Sequence, residues 1–277
     1  MKYKPLKTKL MGIINVTNDS FYENSRYFFH HLAIEAGMKM IKEGADLLDI
    51  GGESTRPNAR PIEIEEELER VIPIIRGLAA KSHVPISIDT MKPAVARAAL
   101  EAGATLINDI TGFRDSEMAE LAAEKNVDIC VMHMRGMPQT MQNNPHYEEG
   151  IVAHLMRWFE ERVDFLVKLG VKKEKIILDP GIGFGKTVDD NFKILHNLQE
   201  FKKIGFPLLL GVSRKSFIAK TLGKTANELL APTLAINALA ILSNADVIRV
   251  HDVKEHRDVI DILAKYHEII STAGSGV

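Results

Sequence analysis

Short apolar runs alternate along the chain with longer segments in which apolar residues recur every three or four positions. Runs of about four to eight residues are typical of strands buried on both faces, and the longer pattern is typical of helices that cover a sheet. The alternation predicts eight strands, at residues 10–15, 45–51, 85–89, 105–109, 127–133, 175–179, 207–213 and 246–251. A helical segment follows each predicted strand, which indicates repeated parallel βα units.

The number of these units favours an α/β fold of the (β/α)8 TIM-barrel type, because eight units in roughly 250 residues match such a barrel better than an open sheet. No linker rich in proline, glycine or serine divides the chain, so we expect a single domain over 1–277 with a core of about 9–267. The segment 271–277 is predicted to be a frayed tail. Gly37 and Pro73 lie inside helical segments and are expected to weaken them locally.

Composition argues against several kinds of partner. There are 35 basic and 37 acidic residues, and no basic stripe of the kind that nucleic acid would require, so nucleic acid is not expected. The longest apolar runs have strand length, and the N-terminus lacks a full signal peptide, so we expect a cytoplasmic protein without membrane partners. Cys130, the single cysteine, lies in an apolar run and is expected to be a small buried residue.

The ends of the predicted strands are rich in polar side chains. In a (β/α)8 barrel these ends meet at one face, where such barrels place their chemistry. The strand ends carry Asn15, Glu53, Thr55, Arg56, Asp89, Asn108, Asp109, His133, Asp179, Ser213, Arg214, Lys215, Arg249 and His251. Any one Asp, Asn or Ser could instead cap the following helix. Lys215 and Arg249 are poor caps, however, so the sequence predicts a polar pocket at this mouth.

The residue types suggest what the pocket binds. Asp89 and Asp179 accept hydrogen bonds when ionised, Lys215 donates them, and Asn108 does both. A heterocycle with an amidine-like N–H edge and a carbonyl group, such as a pterin or a guanine, would satisfy this set. The side chains suited to an anion are Arg56, Arg249 and His251.

The segment 177–190 is rich in glycine and contains Gly-Lys-Thr, which raises the question of a nucleotide phosphate loop. A P-loop needs glycine where this chain has Pro180, and the dinucleotide fingerprint needs a third glycine where it has Lys186. Both interpretations fail by one residue. We expect Asp179 to be the functional member of the segment, the glycines to let the chain turn away, and Lys186 and Thr187 to lie at the rim.

Several separated motifs together resemble the dihydropteroate synthases, a family of pterin-binding (β/α)8 barrels in the bacterial folate pathway. They run from about Lys9 to His267 and read GIINVTNDSF, DIGGESTRP, ISIDT, INDI, VMHMRGMPQTMQ, ILDPGIGFGK, SRKSFI and RVHDV. The resemblance implies condensation of 6-hydroxymethyl-7,8-dihydropterin diphosphate with 4-aminobenzoate, giving 7,8-dihydropteroate and diphosphate, with Mg²⁺ assisting. It also implies a homodimer packed through the last helices.

Carried over position by position, the resemblance implies roles for individual residues. It assigns the pterin edge to Asp89, Asn108, Asp179 and Lys215. It assigns the diphosphate to Arg249 and His251, and Mg²⁺ to Asn15. It assigns the 4-aminobenzoate and diphosphate side to Phe21, Thr55, Arg56, Pro57, Ser213 and Ser216. The implied mechanism is dissociative: diphosphate leaves first, helped by the charges of Mg²⁺, Arg249 and His251, and the aniline nitrogen then attacks a cationic pterin methylene. Lys215 is counted among the catalytic residues as well.

The first loop departs from the family pattern NVTPDSFSDGG and reads NVTNDSFYENSR. Asn18 replaces a proline, which loosens the loop, and Asn24 and Ser25 replace a glycine pair, which restricts it. A carboxylate that stabilises the cationic methylene is assigned here to Glu23 or Asp19. Because the ESTRP motif is intact, we expect an enzyme that is sensitive to sulfonamides.

Two other functions stay open at this point. A barrel that transfers a methyl group from methyltetrahydrofolate to a corrinoid protein would share the pterin-gripping positions, but it would have no use for NVTNDSF, ESTRP and SRKS. A non-catalytic pterin-binding subunit would explain the altered first loop, but not the intact Asn15, Arg56, Arg249 and His251. The sequence therefore favours the synthase.

Overall fold

The computed structural model describes residues 7–16, 23–56 and 59–273. The strands of the described residues are Lys9–Asn15 (β1), Leu47–Gly51 (β2), Ile86–Asp89 (β3), Leu106–Asp109 (β4), Asp128–Met132 (β5), Ile176–Asp179 (β6), Leu209–Leu210 (β7) and Val247–Val250 (β8). The α-helices of the same residues are Glu23–Lys42 (α1), Ile64–Ala79 (α2), Pro93–Glu101 (α3), Ser116–Lys125 (α4), Ile151–Lys168 (α5), Val188–His196 (α6), Leu198–Lys202 (α7), Ser216–Leu222 (α8), Leu230–Leu242 (α9) and Val253–Ala273 (α10).

The eight described strands form one parallel sheet in the order β6-β5-β4-β3-β2-β1-β8-β7. The two ends of this sheet meet, because Leu178 of β6 forms a parallel bridge with Leu208, just before β7. The Leu178 N–H also donates to the Pro207 carbonyl at 2.9 Å. The sheet therefore closes into a barrel, and the predicted (β/α)8 fold is confirmed.

β7 is much shorter than the predicted strand 207–213. Pro207 has no N–H with which to continue a ladder. Beyond β7 the chain turns, and the Lys215 N–H donates to the Val212 carbonyl at 3.2 Å. The other strands agree with the prediction to within two residues at either end.

The helices differ from a simple one-per-strand pattern. α7 follows α6 after a break at Asn197, and α9 is added after Gly223, whose φ of 64° ends α8. Neither Gly37 in α1 nor Pro73 in α2 interrupts its helix. Gly37 brings α1 close to α2, since a Cβ there would lie 2.7 Å from Leu78 Cδ2.

The barrel interior is apolar toward the N-terminal ends of the strands. The side chains that form this apolar layer are Met11, Leu47, Leu106, Cys130, Leu209 and Val247. Cys130 is fully buried, which confirms its prediction as a small core residue. A larger apolar core lies between the strands and the surrounding helices and holds the barrel together.

The C-terminal segment is helical for longer than predicted. α10 runs to Ala273, three residues into the segment predicted to be frayed, and 274–277 lie outside the described residues. The single domain over 1–277 stays a prediction. None of the described helices combines the length and the apolar character needed to cross a membrane.

Candidate active site

The barrel interior changes from apolar to charged toward the C-terminal ends of the strands. Side chains two residues apart on a strand share a face, and two residues beyond the apolar layer stand Asp49 on β2, Asn108 on β4 and Arg249 on β8. Asn108 Nδ2 donates to Asp49 Oδ2 at 3.2 Å. Arg249 donates to Asp49 through Nε and to Asp89 Oδ2 through Nη2, the latter at 2.6 Å. This layer forms the floor of the predicted polar pocket.

Two buried carboxylates thus share one guanidinium. Asp49 is fully buried, and the side chain of Asp89 is 12% exposed. Burial raises the pKa of Asp89 from 3.8 to about 7, with Arg249 opposing and Asp49 adding to the rise. Burial alone would lower the pKa of Arg249, but the two carboxylates raise it, so the guanidinium keeps its charge.

Asp179 and Lys215 form a second part of the pocket. Asp179 Oδ1 accepts the Gly181 N–H at 2.7 Å, and burial raises the Asp179 pKa while Lys215 opposes that rise. Lys215 Nζ donates to the Ile182 carbonyl and lies 4.6 Å from the centre of the Phe184 ring. Burial lowers the Lys215 pKa from 10.5 to about 8, with Asp179 opposing.

The two parts face a common space beside β7. A Cβ built on Gly211 would lie 3.9 Å from Lys215 Nζ and 3.9 Å from Arg249 Cβ. The charges also influence each other, since Arg249 contributes to the lowered pKa of Lys215. The structure therefore brings together the predicted pocket residues Asp89, Asn108, Asp179, Lys215 and Arg249.

His251 lies next to this pocket and is neutral at pH 7. Its ring nitrogen Nδ1 is 2.9 Å from Ser213 Oγ, and its backbone N–H donates to the same hydroxyl at 3.3 Å. Burial lowers its pKa from 6.5 to about 4, and the charges of Arg249 and Arg214 lower it further. Arg214 is held by two hydrogen bonds to Asp252. A bound anion would stabilise the protonated ring and reverse this shift.

The loop that follows β2 is fastened by charged groups from α2 and from the start of α3. Lys92 Nζ donates to the carboxylates of Glu53 and Glu67 at 2.6 Å each. Arg70 donates to the Gly52 carbonyl at 2.8 Å. The ESTRP segment therefore leaves the barrel from a root held by ion pairs and hydrogen bonds.

The remaining predicted residues lie around the mouth or outside the described part of the chain. Asn15 is exposed at the end of β1, Thr55 is half-buried, Arg56 is exposed, and Ser216 is exposed at the start of α8. Arg56 contributes to the lowered pKa of His251. The backbones of Glu23, Asn24 and Ser25 form the start of α1. The predicted residues outside the described ranges are Asn18, Asp19, Phe21 and Pro57.

Sequence reasoning missed Asp49 and Phe184 and misplaced Lys186. The signal for Asp49 is a single aspartate inside the apolar strand LLDIG, and the signal for Phe184 is an aromatic residue among glycines. Lys186 was predicted at the rim, but it is only 3% exposed because its ammonium turns inward to three acceptors. Thr187 is exposed, and it caps α6 through a capping box with Asp190.

Gly181 is expected to tolerate no side chain. Its φ is 66°, and a Cβ would lie 2.0 Å from the His133 carbonyl oxygen. Gly181→Ala should lower the free energy of unfolding by roughly 2 kcal/mol or more in urea titrations, because the backbone must move as well as keep a strained φ. The control is Gly205→Ala, with φ 93° and no atom within 4 Å of the added Cβ. That change should cost about 1 kcal/mol, and equal losses in both variants would contradict the prediction.

His251 is expected to stay neutral in the free protein down to about pH 4, where its pKa lies. The measurement is an NMR titration of the imidazole C2 proton, assigned by its absence in His251→Gln. Inorganic diphosphate should raise this pKa, because the anion stabilises the imidazolium. Titration of the free protein near the ordinary value of 6.5 would show that the ring is not buried beside Arg249 as the structure has it.

Comparison with known proteins places this pocket in a family. The profile of pterin-binding enzymes matches residues 11–251. Dihydropteroate synthase of Escherichia coli (strain K12) is 44% identical over 246 residues, which cover 89% of this chain and 87% of that protein. The crystal structure of Yersinia pestis dihydropteroate synthase with a sulfonamide drug complex has a TM-score of 0.89 at 38% identity and covers 95% of both chains.

A second solved structure is Xanthomonas albilineans dihydropteroate synthase in complex with 7,8-dihydropteroate. Its TM-score is 0.83 at 36% identity, with 98% of this chain and 95% of that chain covered. The matched residues include nearly all of the strands and the whole charged layer of the barrel. The chain therefore belongs to the dihydropteroate synthase family of pterin-binding enzymes.

Proposed function

We propose that this protein condenses 6-hydroxymethyl-7,8-dihydropterin diphosphate with 4-aminobenzoate, forming 7,8-dihydropteroate and releasing diphosphate. It is thus a transferase of folate biosynthesis that acts on small molecules. The observation that carries the proposal is the charged pocket in the barrel, in which Asp89, Asp179, Lys215 and Arg249 converge. The relatives that match most of the chain are synthases, which disfavours the methyl-transfer alternative. The cytoplasmic location expected from the sequence stays a prediction.

The pocket offers the hydrogen-bonding groups that a pterin requires. A pterin ring presents an amidine-like edge that donates and a carbonyl oxygen that accepts. Asp179 supplies a buried acceptor, Asn108 supplies both kinds of group, and Lys215, with a pKa of about 8, supplies a donor at neutral pH. Asp89, with a pKa of about 7, is present in both forms and can accept or donate. We therefore assign the pterin edge to these four side chains.

The reaction breaks the bond between the pterin methylene carbon and a diphosphate oxygen, and it forms a bond from that carbon to the aniline nitrogen. Arg249 and His251 are assigned to the negative charge that develops on the leaving diphosphate. Because the His251 pKa is about 4 in the free protein, this ring gains a proton only when an anion is near. The nitrogen loses one proton, to water or to the released diphosphate, as the product forms. The work of the protein is positioning and charge stabilisation, and roles for Asp19 and Glu23 stay predictions.

The residues at the mouth fit the expected Mg²⁺. Asn15 Oδ1 and Asp89 Oδ2 both lie beside Gly51, at 3.7 Å and 3.6 Å from the position that a Cβ there would take. Among the described residues there is no group of three or more His, Cys, Asp or Glu side chains that could hold a metal ion. This fits a hard cation that takes most of its ligands from water and substrate phosphate. Asn15 would hold the ion, which when bound neutralises charge on the diphosphate.

The purified protein, mixed with dihydropterin diphosphate, 4-aminobenzoate and Mg²⁺, is expected to release diphosphate and form dihydropteroate in equal amounts. A sulfonamide should compete with 4-aminobenzoate in the same assay. Absence of product with the wild-type protein would overturn the proposed function.

Two variants test the pterin assignment within this experiment. Asp179→Asn and Lys215→Ala should each weaken pterin binding by about tenfold or more, because each leaves buried polar partners unpaired. The control is Lys220→Ala, which changes an exposed lysine on the same helix, α8. Calorimetric titration with the pterin gives the affinities, and unchanged binding in both test variants would show that the pterin lies elsewhere.

We also propose that the chain forms a homodimer through α9 and α10. α9 contains no charged residue, yet Leu239 and Leu242 are 64% and 40% exposed. On α10, the neighbouring helix, Ile262, Tyr266 and Ile269 are all more than half exposed and recur at spacings of four and three, which places them on one face. Large exposed apolar side chains on adjacent helices are typical of an interface.

Leu239→Glu and Ile262→Glu are expected to yield monomers, because each would place a charge in this apolar face. Size-exclusion chromatography with light scattering measures the change in mass. Leu222→Glu on α8 is the matched control, since Leu222 is 48% exposed but lies outside the proposed face. A monomeric wild-type protein would rule the dimer out.

A further inference from the structure

Lys186 is a buried lysine that the proposed reaction does not use. It lies in the loop between β6 and α6 and is 3% exposed. Its Nζ donates to the carbonyls of Phe184 and His133 at 3.1 Å and 3.3 Å and lies 3.0 Å from His133 Nδ1. None of these acceptors carries a charge. Burying an ammonium without a carboxylate contact costs free energy. The three directed hydrogen bonds therefore indicate that this ammonium has a specific role.

The contacts of Lys186 fasten the chain behind two residues of the pocket. The Phe184 carbonyl accepts a hydrogen bond from Lys186, while the centre of the Phe184 ring lies 4.6 Å from Lys215 Nζ. The His133 carbonyl accepts a hydrogen bond from Lys186, while the backbone N–H of His133 donates to the Asp179 carbonyl at 3.0 Å. Lys186 therefore joins the end of β5 to the loop after β6, at the place where that loop carries its pocket residues.

A pair of imidazoles connects Lys186 with the surface. His133 Nε2 lies 3.2 Å from His154 Nε2. The side chain of His154 is 29% exposed, and its Nδ1 lies 3.7 Å from the Glu149 carboxylate. Burial lowers the pKa of both rings, so both are neutral at pH 7.

The protonation of Lys186 sets the tautomers of this pair. An ammonium can only donate, so His133 Nδ1 must accept, and the proton of that ring then lies on Nε2. His154 Nε2 accepts the hydrogen bond from this N–H. The proton of the neutral His154 ring therefore lies on Nδ1, which faces Glu149. The buried charge thus has one consistent hydrogen-bond arrangement that reaches solvent.

We propose that Lys186 is a positioning residue for pterin binding, whose buried charge favours ionised Asp179 and holds the loop that carries Phe184. This inference deepens the proposed function and rests on it for the identity of the ligand. The charged and titratable groups that face Lys186 are Asp179 of β6, Asp190 of α6, Lys215 at the start of α8, His133 at the end of β5 and His154 of α5.

The charge of Lys186 depends on pH near neutrality. Burial lowers its pKa from 10.5 to about 7, with Asp179 opposing and Lys215 adding to the effect. The ammonium is therefore present below about pH 7 and is lost as the pH rises. Lys186 in turn lowers the pKa of Asp179, so loss of its charge weakens the ionised form of that acceptor.

The test compares the wild type with Lys186→Met, which keeps the length of the side chain and removes the charge. The probe is 6-hydroxymethyl-7,8-dihydropterin, whose binding is measured by calorimetry and needs no turnover. The variant should bind about tenfold more weakly near pH 6, and this difference should shrink above about pH 8.5, because the neutral amine still donates hydrogen bonds that Met cannot make but no longer supplies the charge. Using the ratio removes the titration of Asp89, which both proteins share. Lys193→Met, at an exposed lysine on α6, is the control and should match the wild type.

Either of two results would overturn the inference: a ratio near one at pH 6, or the same ratio at every pH. A second measurement needs neither the variant nor a ligand. Nitrogen-15 NMR of labelled histidine should show His133 protonated on Nε2 and bare on Nδ1 below pH 7, and the opposite tautomer would sink the proposal. Because this readout is independent of catalysis, a wild type that makes no product would overturn the proposed function alone.

Discussion

Arg249 lies between two buried carboxylates, and the rest of the pocket is arranged around that contact. Asp49 and Asp89 come from neighbouring strands, and together they would repel each other without the guanidinium. Arg249 comes from β8, which lies close to them because β1 pairs with β2 on one side and with β8 on the other. Buried ion pairs of this kind contribute little net stability. The apolar layers on both sides of the strands therefore stabilise the fold, and the charged layer is the part that we propose binds the substrate.

Burial shifts Asp89, Lys215 and His251 toward their neutral forms. The pKa of Asp89 rises to about 7, that of Lys215 falls to about 8, and that of His251 falls to about 4. Such groups change their protonation state when a ligand brings charge or hydrogen bonds of its own. An incoming diphosphate would favour the protonated ring of His251, and a pterin edge would favour ionised Asp89. The pocket is thus suited to a reaction in which negative charge develops and leaves.

Much of the fold could be predicted because the evidence for it is local. Strands buried on both faces and helices with an apolar side leave different periodicities, and these predicted all eight strands and the barrel. β7 was predicted too long because its apolar run continues past the residues that pair, and only the register with β8, where Leu210 opposite Ile248 is the last pair, shows where pairing stops. The sequence predicted only a local weakening at Gly37, and the structure adds that this glycine lets α1 and α2 approach closely.

For the site, the sequence by itself determined which chemical groups stand at the strand ends. Asp89, Asn108, Asp179, Lys215 and Arg249 could be found because a strand end is a local feature and a barrel brings all such ends to one face. Only the tertiary structure decided which groups touch. Asp49 belongs to the pocket because its register on β2 places it one layer above the apolar layer of the barrel interior. Lys186 is buried because the end of β5 offers it hydrogen-bond acceptors. Residues far apart in the chain come into contact through strand register and barrel closure. The local pattern of residues contains no information about register or closure.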